Sequence, residues 1–382
     1  MRGFGIFLGG LAVAGSLAAV TAAVTASGPA ATTATTAAAA TAPHALAAYS
    51  SNPASPAIGN PAGHQPVPLA GRAADTSHPN HVIGRGTPAG CTSAAVVKAV
   101  AQGGVITFNC GSKPVTITMT ATAKVKNTIH RVVLDGGGKV TLSGGGKIRI
   151  LYMDTCDTKQ GILTYDCWEQ QWPQLVVQNL TFKNAYSATR QATGVQTYGG
   201  GAIFDMGGQL KVVNSAFIGN QCYSTGPDLG GAAIRAYGMY MKTPVYITHD
   251  TFTGNSCSNG AALSGLYANF YVINSLLTNN NAIGRGANPA RPGTPGGGSG
   301  GAIYTDGDGY NMTIDGTVMT GNTAREGGGA IFYVVNAGGG TLKIEYSTLH
   351  KNPSGQFSTA PGIFDFVDGA EAQPVKIHSS IS

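Results

Sequence analysis

The chain has 382 residues, of which 57 are glycine and only 10% are charged, with a net charge of +6 at pH 7. Charge this sparse, with no concentrated basic run, argues against a nucleic-acid partner; the modest positive balance permits an anionic partner without requiring one. So much glycine would suggest disorder, unless a repeat assigns it to turns.

Arg2 is followed by an apolar stretch from Gly5 to Ala23, and Val24-Thr25-Ala26 supplies a small-residue cleavage site before Ser27. Residues 1–26 are therefore expected to be a secretory signal peptide, so that no span remains after cleavage and the protein is secreted or held at the cell surface. Residues 27–90 are mostly Ala, Thr, Pro and Ser with few large apolar side chains, and read as a flexible linker. The folded domain is then 91–382. It opens with an amphipathic helix over Thr92–Gly104, capped by Thr92 or Ser93, with Val96, Val97, Val100 and Ala101 on its apolar face. Such a helix would cover the open end of the strands that begin at Val105. Six cysteines all lie after the linker, and in a secreted chain they read as three disulfides, expected as Cys91–Cys110, Cys156–Cys167 and Cys222–Cys257.

Between strands at 148–152 and 175–177 lies an insertion with both tryptophans, Trp168 and Trp172, beside Asp154, Asp157, Asp166 and Glu169. Indole faces stack on sugar rings and carboxylates bind hydroxyls or calcium, which makes calcium the candidate cofactor. The competing reading is a stapled loop whose tryptophans pack on the flank of the fold.

From residue 200 a two-part unit recurs. Gly200-Gly201-Ala202-Ile203 is answered by Phe217-Ile218-Gly219-Asn220, and the pattern returns at 231–234 with 252–255, 260–263 with 277–280, 301–303 with 319–322 and 329–331 with 349–352. Between the halves lie alternating strands, Leu210-Lys211-Val212, Val245-Tyr246-Ile247, Phe270-Tyr271-Val272, Met312-Thr313-Ile314 and Leu342-Lys343-Ile344. Three short strands per unit with Gly and Asn corners predict an all-β solenoid, a right-handed parallel β-helix. Asn214 and Asn274 share one corner position and would stack as an amide ladder, broken by His249, Gly316 and Tyr346. The closing Asn residues are 35, 25, 42 and 30 apart, so insertions enter mainly at one turn and project from one edge.

The capping helix, GG-x-I strand and glycine-cornered coils resemble the pectate-lyase-like β-helix superfamily. The GGAI and FxxN units are similar to the repeats of chlamydial polymorphic outer membrane proteins, a family of surface adhesins. The resemblance spans about residues 91–382, without the translocating barrel of the second family. The first implies binding or cleavage of polysaccharide, by a lyase or a hydrolase; the second implies a non-catalytic adhesin or structural protein.

The residues that would carry such chemistry fall in three places. One is the tryptophan insertion. Another is the row following GAI, Phe204, Arg235, Ser264, Tyr304 and Phe332, expected as an outward ladder along a groove, or else a strip covered by loops. The third is the variable edge, with Arg285, Arg291, Arg325 and Glu326 beside Asp306 and Asp308. Arg325, Glu326 and Asp306 are the catalytic candidates; Trp168, Trp172, Arg235, Tyr304 and Arg285 are the binding candidates. Gly297-Gly298-Ser299-Gly300-Gly301 fits GxSxG but precedes a strand, so it is no nucleophile elbow. The last strand, 375–382, matches the repeat without a closing FxxN. Its edge is expected to fray or to be covered by a partner such as a second copy, unless 355–361 folds back as a cap.

Overall fold

The computed structural model describes residues 58–161, 164–187 and 199–382. The leader at 1–26 and residues 27–57 of the expected linker lie outside the described residues. The rest is an all-β solenoid of stacked parallel coils, gathered into sheets of seventeen, nine and five strands.

A typical coil begins with the GAI strand Ile203–Met206, continues through Gln209–Val213 and Ala216–Ile218, and ends in Gln221–Cys222. This last two-residue strand is a fourth element beyond the three expected. Successive coils pair in parallel and in register. Val177, Val212, Ile247, Val272, Ile314 and Ile344 lie in one inward file, and each is fully buried. Each such side chain gains roughly 1.5–3 kcal/mol from leaving water. Phe182, Phe217 and Phe252 form a second file, stacked at 5.0 and 4.8 Å with rings within 5° of parallel.

The closing Asn of FxxN holds the turns together. Asn220 Nδ2 donates to Asn255 Oδ1 at 3.0 Å, Asn255 to Asn280 at 2.8 Å, Asn280 to Asn322 at 2.9 Å and Asn322 to Asn352 at 2.9 Å. All five are buried. The unbroken amide ladder is therefore here, not at Asn214 and Asn274. That other corner is defined by its backbone: Asn179, Asn214, His249, Asn274, Gly316 and Tyr346 all have φ between 46° and 57°. Next to it runs a ladder of side-chain oxygens in which each backbone N–H donates to the side chain one coil on, through Ser215, Asp250, Ser275, Thr317, Ser347 and Ser379. The first glycine of each GAI turn is needed for its shape: at Gly231 φ is 73°, and a Cβ would lie 2.2 Å from the Ile234 carbonyl oxygen.

The N-terminal helix α1, Ser93–Gln102, is capped by Thr92 Oγ1, which accepts from Ala95 N at 3.2 Å. Val96, Ala99 and Val100 pack into the first coils, while Val97 and Ala101 are only partly buried. The three disulfides pair as expected, with Cα separations of 5.8 Å (Cys91–Cys110), 5.0 Å (Cys156–Cys167) and 4.7 Å (Cys222–Cys257).

Residues 58–90 correct the expected linker boundary. His81–Ile83 is a strand parallel to Gly104–Phe108. Residues 58–80 form a strap across the coils: Gly59 N donates to Thr251 Oγ1 at 2.8 Å, Gln65 N to Asn274 Oδ1 at 2.9 Å and Ala74 N to Gln178 Oε1 at 2.8 Å, and Thr76 Oγ1 donates to Asp135 Oδ2 at 2.8 Å. Its composition could not build a core of its own. It is ordered instead by hydrogen bonds to a preformed surface and by close approach, since a Cβ on Gly63 would sit 2.7 Å from the Gly316 carbonyl oxygen. At the other end, Val375–Ile377 and Ser380–Ile381 pair with the preceding coil. Residues 355–361 do not cap that coil. Phe357 N donates to Glu326 O at 3.2 Å and its ring packs on Phe364, so the segment lies along the side of the stack.

Candidate functional site

A cleft of about 410 Å³ opens where the tryptophan insertion meets the ends of the GAI strands. It is lined by Trp168, Glu169, Tyr237, Lys242, Tyr267 and Asp308, with Met239, Tyr310 and backbone at Gly238 and Gly309. The Cys156–Cys167 bridge fixes the short turn Cys167–Glu169, and buried Gln170 ties it down by donating to Thr155 O at 3.2 Å and Cys167 O at 3.0 Å. Trp168 then lies edge-on to Tyr237, with ring centroids 6.1 Å apart and planes at 78°. Tyr237 is 6.1 Å from Tyr267. Trp168 and Tyr267 remain 44% and 46% exposed, so their faces are open to a ligand. Gly238, at φ 57°, admits the indole: a Cβ there would be 3.2 Å from Trp168 Cβ.

Charge in the cleft is mixed. Glu169 Oε2 accepts from Met241 N at 3.3 Å, and Lys242 Nζ donates to Gly309 O at 2.8 Å. Burial raises the pKa of Tyr267, and nearby Asp308, Asp306 and Asp228 raise it further; Tyr237 is raised by burial and by Tyr267. Both phenols are therefore neutral hydrogen-bonding groups. The cleft offers aromatic faces, two carboxylates and an ammonium already bound to backbone. Among the described residues, no group of three or more His, Cys, Asp or Glu side chains is placed to hold a metal.

The candidates from sequence are dispersed. Trp172 is away from this cleft, stacked on His130 at 4.4 Å and 6°. The row after GAI is in register as expected, but it is covered: Phe204, Arg235, Ser264, Tyr304 and Phe332 are all at most 2% exposed. The insertions at the variable turn close over it. Asn288 donates to the Tyr304 hydroxyl, and also to Asp306 Oδ2 at 3.0 Å and Asp228 Oδ1 at 3.3 Å. Arg235 gives one hydrogen bond, to Ser264 Oγ at 2.8 Å, and burial lowers its pKa. Neither it nor Tyr304 can reach a polymer from this position.

Glu326 is 4% exposed and accepts from both Nη atoms of Arg291, at 2.8 and 2.9 Å, and from Gly286 N at 2.7 Å. Burial opposes its ionisation, but the Arg291 and Gly286 hydrogen bonds and the Arg291 charge outweigh that and lower its pKa. Glu326 thus clamps the insertion loop. Asp306 accepts from Asn336 Nδ2 at 2.8 Å and the Tyr304 hydroxyl at 3.1 Å; burial keeps its pKa raised. Arg325 and Arg285 are exposed, and Arg285 lies on the insertion loop bridged to Gly296. None of the three catalytic candidates, Arg325, Glu326 and Asp306, lines the aromatic cleft. Sequence reasoning misses Tyr237 and Tyr267. Tyr237 lies two residues beyond Arg235, on the same outward side of its strand, where the covering loops stop. No family model matches the chain, and searches of curated proteins and of solved structures find no match either.

Proposed function

We propose that the protein is a secreted recogniser of extracellular polysaccharide and that the cleft at Trp168 holds its sugar rings. The observation that carries this is the convergence of Trp168 from the insertion with Tyr237 and Tyr267 from the ends of two adjacent GAI strands around one open cleft, beside Glu169, Asp308 and Lys242. Apolar ring faces of a pyranose suit such walls, and its hydroxyls suit the flanking charged and phenolic groups. With two carboxylates against one engaged ammonium, the cleft itself favours uncharged units over uronates. Secretion is supported by the apolar leader and by three disulfides. The resemblance to pectate-lyase-like β-helices supports a polysaccharide ligand.

The test is calorimetry against uncharged oligosaccharides with wild type, Trp168→Ala, Tyr267→Ala and Trp172→Ala. Trp168→Ala and Tyr267→Ala should weaken binding about three- to tenfold with little change in melting temperature. Trp172→Ala should lower the melting temperature and leave affinity alone. Equal affinity in all four proteins would remove the cleft from consideration. New reducing ends on incubation would add hydrolysis, and binding without them an adhesive role.

A further inference from the structure

We propose a second, separate binding groove for a carboxylated or sulfated glycan segment, centred on Lys211 and Arg131. A cavity of about 220 Å³ lies on the outer face of the long strands, away from the aromatic cleft. Two outward files build its floor. One runs through Arg131, Gln174 and Gln209, and the other through Val133, Val176, Lys211 and Tyr246, each pairing in register across adjacent coils. Ala70 of the strap forms one wall and Thr243-Pro244 another. The strap is held there by close contact, since a Cβ on Gly71 would lie 3.0 Å from the Tyr246 ring.

Among the described residues, neither cation is paired with an acid. The ion pairs among the described residues are Arg291–Glu326 and Lys343–Glu345, and neither touches this groove. The contrast within one file is informative. Lys343 has a carboxylate at 2.9 Å, whereas Lys211, four coils earlier in the same outward file, has none. Burial lowers the Lys211 pKa, and the nearby Arg131 charge lowers it further, as expected of an ammonium facing only another cation. Arg131 and Lys211 lie two coils, or about 10 Å, apart along the stack. A ligand lying along the stack would place anionic groups on both. Gln174 and Gln209 offer amides to hydroxyls, and Tyr246 offers a ring face. Neutral hydrogen-bonding groups and an aromatic ring beside unpaired cations suit a sugar chain with anionic substituents better than a bare anion.

The experiment titrates the whole protein with a polyuronate oligosaccharide, a sulfated oligosaccharide, an uncharged oligosaccharide of equal length and inorganic sulfate, at low and high salt. Wild type is compared with Lys211→Gln, Arg131→Gln, Lys211→Arg and Trp168→Ala. At least one charged oligosaccharide should bind, more weakly at high salt, and the carboxylated and sulfated arms identify which group is taken. Lys211→Gln and Arg131→Gln should each cost about tenfold or more in affinity. Lys211→Arg should retain binding, which excludes a general folding defect, and Trp168→Ala should leave it unchanged, which separates this groove from the cleft. Binding of the uncharged oligosaccharide that survives Trp168→Ala and falls with Lys211→Gln, binding of inorganic sulfate alone, or charged binding indifferent to both Gln variants would each overturn the proposal.

Discussion

Asn280→Ala tests what holds the coils in line. Asn280 is fully buried in mid-ladder. Its Oδ1 accepts from Asn255 N at 3.2 Å and Asn255 Nδ2 at 2.8 Å; its Nδ2 donates to Asn322 Oδ1 at 2.9 Å and Phe252 O at 3.1 Å. Alanine removes all four bonds. Asn322 Oδ1 keeps a partner in the Asn280 backbone N–H, at 3.0 Å. The Asn255 backbone N–H and one Asn255 amide proton are left buried without partners, while the Phe252 carbonyl loses only its side-chain donor. At about 1–3 kcal/mol for each such group, partly relieved by relaxation, the expected loss is roughly 4 kcal/mol. Asn220→Ala, at the start of the ladder, strands only the Ala185 N–H, and should cost about half as much. Urea unfolding followed by tryptophan fluorescence and far-ultraviolet circular dichroism would measure both. A loss below about 1 kcal/mol for Asn280→Ala, or equal losses at the two positions, would refute the reasoning, because the ladder would then contribute no more than isolated surface amides.

Asp205 should make stability fall as pH rises. It is fully buried on the inward side of its strand, neither carboxylate oxygen has a partner, and burial followed by the nearby Asp154 charge holds its pKa well above the ordinary value. An acid whose folded pKa is raised favours folding fully below its unfolded pKa of about 4 and loses that contribution as pH climbs through the folded value. Asp205→Asn should therefore flatten a decline of melting temperature that begins near pH 4 in wild type; parallel curves for the two proteins would count against it. A chain beginning at residue 79 should melt lower than one beginning at 58, and its Gln65-bonded neighbour Asn274 should exchange amide protons faster. An unchanged melting temperature would show that the strap is merely laid on the surface.

The stack was legible because its demands are repetitive. The FxxN Asn must be at once donor and acceptor one coil away, and no other residue type among the five units meets that requirement. The αL corner demands only a backbone conformation, so it accepts Asn, His, Gly and Tyr in turn. Two Asn residues at that corner look like a ladder in sequence, yet the hydrogen bonds lie elsewhere. Outward orientation of Arg235 and Tyr304 was likewise readable from period two. Their burial was not, because it comes from Asn288 and the insertion around it, whose path no periodicity encodes. Trp168 and Trp172 are four residues apart, and the intervening Gln170, tied to Thr155 and Cys167, leaves one facing the cleft and the other His130. Residues 58–80 escaped for a related reason: composition reports whether a segment can bury its own surface, not whether another surface is waiting for it.

That strap changes the statistics of the stack. Coils that touch only their neighbours unfold as a chain of local decisions, with ends free to fray. A segment bonded to the coils of Asn274, Gln178 and Asp135 at once makes distant coils share one outcome, because loosening any of them forfeits contacts with the same few residues. It also inverts the order of assembly. The strap precedes the coils in the chain, yet its docking surface exists only after residues up to Gly316 have folded. The segment that emerges early must wait to be placed late, and its arrival locks the stack.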